Sequence, residues 1–130
     1  MRGMADELVL IVDDNEKNVK LARDVLRFAG FRTVQAGSGG EGVSLATEHL
    51  PDVILMDIRL PDMDGTAALR RLREDERTAP IPVVALTSFA MKGDRERFLA
   101  EGFDGYLEKP ISVTNFPDEV RRYCAGREIE

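Results

Sequence analysis

Leu8-Val9-Leu10-Ile11-Val12-Asp13-Asp14 is the stretch on which the fold turns. Five apolar residues without alternation, closed by two acids, read as a strand buried on both faces. Such a strand delivers its acids at its C-terminal end. Burial on two sides requires helices on both sides of a parallel sheet, and the flanking chain has the pattern for them. From Glu16 to Ala29, the residues Leu21, Ala22, Val25, Leu26 and Ala29 recur at helical spacing, and Gly30 offers a stop.

The alternation continues outward. Phe31 to Gln35 is a second strand, less apolar and suited to a sheet edge. Ser38-Gly39-Gly40 breaks the chain before a helix over Glu41 to His49. Asp52 to Asp57 is a third buried strand. Asp62 or Asp64 can cap the helix that runs to about Glu74. Pro82 to Leu86 is a fourth strand ending at Thr87, followed by a helix over Lys92 to Glu101. Phe103 to Leu107 is a fifth, ending near Lys109-Pro110, and a last helix reaches about Cys124. Pro117 lies within that helix if Ser112 caps it, so the spacing predicts either a late start near Asn115 or an irregular first turn. The expected division is a flexible N-terminus (1–7), one α/β domain (8–124) and a C-terminal tail (125–130). Five apolar strands alternating with amphipathic helices give a doubly wound parallel sheet.

Composition removes several classes of function. The chain has 130 residues, enough for one domain with a real core. Its 18 Lys and Arg against 24 Asp and Glu leave a net charge of −6, which repels phosphate backbones and disfavours nucleic acid as a partner. A single cysteine, Cys124, and a single histidine, His49, allow neither an internal disulfide nor a His/Cys metal cluster. No leader-like or membrane-spanning run is present, and the expected location is the cytoplasm. His49 suits a helix end, Cys124 suits the core, and Arg70-Arg71-Leu72-Arg73, offset by Glu74-Asp75-Glu76, reads as a solvated helix face.

In a doubly wound sheet, ligands gather at the carboxyl ends of the strands. Those ends carry Asp13-Asp14, Asp57, Thr87-Ser88 and Lys109. Each alone is an ordinary cap, turn or solvated residue. On one rim they become a site. Clustered carboxylates repel one another, and a hard divalent cation such as Mg²⁺ relieves that repulsion. Metal on one side, ammonium and hydroxyl on the other, suit a phosphoryl group, with one carboxylate left as nucleophile.

These residues stand in motifs that resemble the receiver domain of bacterial two-component response regulators. The motifs are Ile11-Val12-Asp13-Asp14-Asn15, Ile54-Leu55-Met56-Asp57-Ile58, Leu60-Pro61-Asp62-Met63-Asp64-Gly65, Val84-Ala85-Leu86-Thr87 and Tyr106-Leu107-Glu108-Lys109-Pro110. Residues 82–113 look most like stand-alone receivers of the DivK type. The resemblance implies a flavodoxin-like fold with strand order 2-1-3-4-5 and five helices. It implies that Asp57 accepts a phosphoryl group from a histidine kinase or histidine phosphotransfer protein. Asp13, Asp14, Asp57 and the Arg59 backbone carbonyl would hold Mg²⁺ or Mn²⁺. Thr87 and Lys109 would contact the phosphoryl group, and Tyr106 would be the aromatic switch. The Lys109-Pro110 peptide would be cis.

The resemblance further implies a signalling domain instead of a turnover enzyme, acting on a downstream protein by contact, as a monomer or weak dimer. Docking residues would be Asn15, Asn18 and Ala22 with Ile111 and Ser112. Arg59 and Phe89 would flank the path of hydrolytic water, and neither accepts a hydrogen bond, so the phosphorylated state should be long-lived. The competing readings are an unphosphorylated receiver-like scaffold and, from Asp62-Met63-Asp64-Gly65-Thr66, a haloacid-dehalogenase-like phosphatase. An EF-hand is excluded by Arg73, which stands where that loop needs a glutamate.

Overall fold

A computed structural model of the chain describes residues 7–88 and 93–128, with side chains as far as Cys124 in the last helix. Strands and helices alternate as β1 (Leu8–Val12), α1 (Glu16–Phe28), β2 (Arg32–Ala36), α2 (Gly39–His49), β3 (Val53–Asp57), α3 (Gly65–Glu74), β4 (Val83–Thr87), α4 (Asp94–Glu101), β5 (Gly105–Glu108) and α5 (Phe116–Glu128). All pairings are parallel, in the order β2-β1-β3-β4-β5.

Side-chain alternation divides the strands between two cores. Leu10, Val12, Ile54, Met56, Val83 and Ala85 face one side, with Ala46 of α2, Leu69 and Leu72 of α3 and Phe98 of α4. Val9, Ile11, Val53, Leu55, Val84 and Leu86 face the other, with Leu26 of α1 and Phe116, Val120 and Cys124 of α5. This two-sided burial is why the central strands read as unbroken apolar runs. β2 is an edge, and Arg32 at its start is exposed. Among the described residues no helix is long and apolar enough to cross a membrane.

Several local expectations need correction. Glu7 does not belong to a flexible N-terminus: it is buried, and its carbonyl accepts from Arg32 N at 2.9 Å; residues 1–6 lie outside the described residues. The last helix does not end at Cys124 with a tail from 125. It continues to Glu128, because nothing between Cys124 and Glu128 is a proline and Gly126 alone does not stop a helix. Ser38-Gly39-Gly40 opens α2 in place of breaking the chain, with the Ser38 hydroxyl accepting from Glu41 N at 3.1 Å. The expected start of α4 at Lys92 lies outside the described residues; Gly93 occupies the cap position of the described helix.

Pro117 sits in the first turn of α5, where the missing N–H has no helical partner to lose. A separate turn precedes it, closed by Phe116 N to Ser112 O at 2.8 Å. Arg73 is not a solvated face residue. Its guanidinium donates to Ala79 O at 2.9 Å, Ile81 O at 2.7 Å and Asp104 Oδ2 at 2.9 Å, tying the α3–β4 connection to the segment after α4.

Candidate functional site

Register decides which residues meet. Val12 pairs with Met56, Asp57 with Leu86, and Thr87 with Glu108. Asp13, Asp57, Thr87 and Lys109 therefore emerge within about one residue of a common level at the C-terminal edge.

Asp13 is held from below and beside. Its Oδ1 accepts from Asn15 N at 2.9 Å, which shapes the turn into α1. Asn15 in turn caps α1 through Oδ1, accepting from Lys17 N at 3.0 Å and Asn18 N at 3.1 Å. Asp13 Oδ2 takes the Lys109 ammonium at 2.8 Å, and the same ammonium lies 3.3 Å from Asp57 Oδ2. The side chains of Asp13, Lys109 and Asp57 are 1%, 10% and 14% exposed, so this bridge is largely shielded from water.

Asp13, Asp14 and Asp57 present carboxylate oxygens that all lie within 4.8 Å of one another. Three acids against the one ammonium leave two negative charges (3 − 1 = 2), the complement of a divalent cation. An all-oxygen donor set open to water fits Mg²⁺ or Mn²⁺ by hardness. Burial pushes the Asp57 carboxyl above the ordinary aspartate range. The Lys109 ammonium opposes that rise, the Asp13 charge adds to it, and a hydrogen bond from Arg59 N at 3.3 Å opposes it weakly.

The cleft above Asp57 measures about 370 Å³ and is lined by Asp14, Asn15, Arg59, Thr87, Arg97 and Lys109 among others. Thr87 is buried at the end of β4, and its carbonyl accepts from Lys109 N at 2.7 Å. Arg59 is exposed at the lip; Phe89 lies outside the described residues. The Lys109–Pro110 peptide is cis. Tyr106 stands apart from the carboxylates, half-buried against Phe98 with ring centroids 6.1 Å apart, and lines a groove with Arg95, Pro110, Ile111 and Phe116. Asn18, Ala22 and Ile111 share a further small cleft beside Asp13 and Lys109, and Leu21 completes it.

Asp62 and Asp64, the carboxylates of the phosphatase-like motif, are not in the acidic cluster. Asp64 takes the cap position of α3 without a side-chain bond. Asp62 hydrogen-bonds two amides of α2. Sequence reading missed this Asp62 contact, the Arg73 clamp and the presence of Arg97 at the cleft mouth. No local signal marks partners that lie 22 to 31 positions apart.

A five-stranded doubly wound sheet carrying three acids, a threonine and a lysine on its carboxyl rim defines a class, and sequence comparison gives the same one. The chain belongs to the response regulator receiver domain family, whose model matches residues 9–121. It is 48% identical to the polar-differentiation response regulator DivK of Brucella ovis over 115 residues, 88% of this chain and 94% of that one. DivK of Brucella anthropi is 46% identical over the same coverage. A receiver domain of a sensor histidine kinase from Pseudomonas aeruginosa, solved with a magnesium ion coordinated in its active-site cleft, superposes with a TM-score of 0.84 at 35% identity. That match covers 92% of this chain and 98% of that one. A CheY-like receiver domain protein from Methanospirillum hungatei matches with a TM-score of 0.84 at 25% identity, over 95% and 97% of the two chains.

Proposed function

We propose that Asp57 accepts a phosphoryl group from a phosphohistidine of a histidine kinase or phosphotransfer protein, and that the chain signals by contact with a downstream protein. The observation that carries this reading is the Lys109 ammonium bridging Asp13 and Asp57 at 2.8 and 3.3 Å beneath an open cleft. A carboxylate oxygen of Asp57 attacks phosphorus in line. The phosphorus–nitrogen bond breaks, its electron pair goes to the donor imidazole, and that nitrogen takes a proton from water. Charge on the transferring oxygens is met by Lys109 and by the Thr87 hydroxyl.

Asp13, Asp14, Asp57 and the Arg59 carbonyl would hold Mg²⁺, which when bound neutralises charge on the phosphoryl oxygens. Phosphorylation adds roughly −1.5 to −2 charges. Thr87 moves toward them, and Tyr106 fills the space it leaves, which changes the groove between α4, β5 and α5. The donor docks against Asn15, Asn18 and Ala22 with Ile111 and Ser112. Supporting this, Asn18, Ala22 and Ile111 share one cleft beside the acceptor's lysine. Arg59, which has only donors, leaves attacking water without an acceptor from that side and favours a slowly lost phosphoryl group.

The test is labelling by a small acyl phosphate with Mg²⁺. Wild type should label and Asp57→Asn should not, while circular dichroism of the two stays alike. Label retained on the asparagine variant would place the acceptor elsewhere.

A further inference from the structure

The connection between β3 and α3 is closed on itself. Gly65 N donates to Ile58 O at 2.7 Å, and Arg59 and Asp64 face each other as an antiparallel bridge. A Cβ on Gly65 would come within 2.6 Å of Asp57 O, so the returning chain presses on the backbone of the acceptor residue itself. The far tip of this loop reaches a different element. Asp62 Oδ1 accepts from Gly39 N at 2.8 Å and Oδ2 from Gly40 N at 2.9 Å. Met63 packs beside them, close enough that a Cβ on Gly39 would lie 2.5 Å from its Cγ.

Asp62 thus occupies the first free amides of α2, where the helix dipole favours a negative charge. Those two hydrogen bonds hold its carboxyl below the ordinary aspartate range. The loop is fixed at both extremes, to Ile58 next to Asp57 at its base and to α2 at its tip. Arg59 lies between. A backbone carbonyl cannot be re-aimed by a rotamer change: it stands where its loop stands. Mg²⁺ tolerates little error, since it demands near-octahedral geometry at about 2.0–2.1 Å.

We infer that Asp62 is a positioning residue for the cation site, setting the Arg59 carbonyl by clamping the loop tip to the N-terminus of α2. The inference rests on the metal reading above. Linkage makes the effect reciprocal: if the clamp favours the cation, the cation favours the clamp.

The experiment is calorimetric titration with Mg²⁺, with a melting curve of each protein in chelator. Asp62→Ala should weaken Mg²⁺ on the order of tenfold, the low end for residues that support metal ligands without touching the ion. Asp62→Asn, which keeps one acceptor oxygen, should fall between; it also carries the test if the alanine variant does not fold. Two controls separate other causes. Asp64→Asn removes a charge from the same loop, and Ser38→Ala loosens α2 without touching the loop. Both should leave Mg²⁺ affinity within about twofold, with Ser38→Ala melting lower. In wild type, Mg²⁺ should slow hydrogen exchange at Gly39 and Gly40. Unchanged affinity in Asp62→Ala, or an equal loss in Asp64→Asn or Ser38→Ala, overturns the positioning role while leaving the metal reading intact. Absence of Mg²⁺ binding by wild type, or undiminished binding by Asp57→Asn, overturns the metal reading and the positioning role with it.

Discussion

The two halves of the rim are held very differently. On the β1–β3 side, α1 runs 13 residues behind an Asn15 cap that satisfies two amides, and Asp13 fixes the turn before it. The loop after β3 is bridged at its base and clamped at its tip. On the β4–β5 side, α4 has eight residues, a Gly93 cap with no side-chain bond, and Phe98 as its single buried residue. It is tied at its far end, where Arg73 reaches Gly102 O at 3.3 Å and Asp104 Oδ2 at 2.9 Å. Among the described residues, the proposed acceptor Asp57 therefore stands beside a loop tied at base and tip, while the helix beside Thr87 and Tyr106 has its hydrogen-bonded ties just past its C-terminal end. On the proposed phosphorylation of Asp57, the helix of the second half is the element expected to move.

Beryllofluoride with Mg²⁺, which mimics the phosphoryl group, should expose this contrast most strongly. Backbone NMR shifts should spread through Asp94–Ile111 and stay small in the interior of α1. Shifts confined to the residues around Asp13 and Asp57 would break the comparison. Phe98→Ala attacks the single buried anchor of α4 and should cost about 3–5 kcal/mol by denaturant titration. A cost near zero would mean that α4 is held by something other than Phe98.

A smaller effect concerns pH. Because burial raises the Asp57 carboxyl, its ionised form is the costly one in the folded chain. Stability from this group is complete below the ordinary aspartate range and is lost as pH rises through the raised value. In chelator, Asp57→Asn should therefore melt a few degrees above wild type at neutral pH, with the gap closing toward acid and shrinking on addition of Mg²⁺ to wild type. A gap independent of pH would remove burial of charge as its cause. The smallest change is Asn15→Ala, expected to cost about 1 kcal/mol through the lost cap. A helix α1 as stable without Asn15 as with it would show that packing alone secures the Asp13 side of the rim.

Much of this was legible residue by residue. The apolar runs before Asp13 and Asp57 announce strands covered on both faces, because burial on both sides is a local demand on every position. Acids, Thr87 and Lys109 at strand ends mark a shared rim once the strands are taken as parallel. Pro117 limits the last helix to a late start or an irregular first turn, since a proline restricts the backbone wherever it stands, and α5 takes the late start. The family motifs add the order of the strands.

Other features depended on the path of the chain in space. Lys109 and Asp13 are 96 positions apart, and their 2.8 Å contact exists only because β5, β4, β3 and β1 are laid side by side in register. Arg73 looks like its arginine neighbours until the loops after α3 and α4 come within its reach. Asp62 or Asp64 reads as a cap for the helix that follows; Asp64 takes that position, and Asp62 instead accepts from the first amides of the helix that precedes β3. The physical reason is common to all three. Burial and dihedral preference act on a residue and its near neighbours, so they are written locally. A long-range hydrogen bond needs two backbones brought within about 3 Å, and only the packed sheet and its loops set that distance.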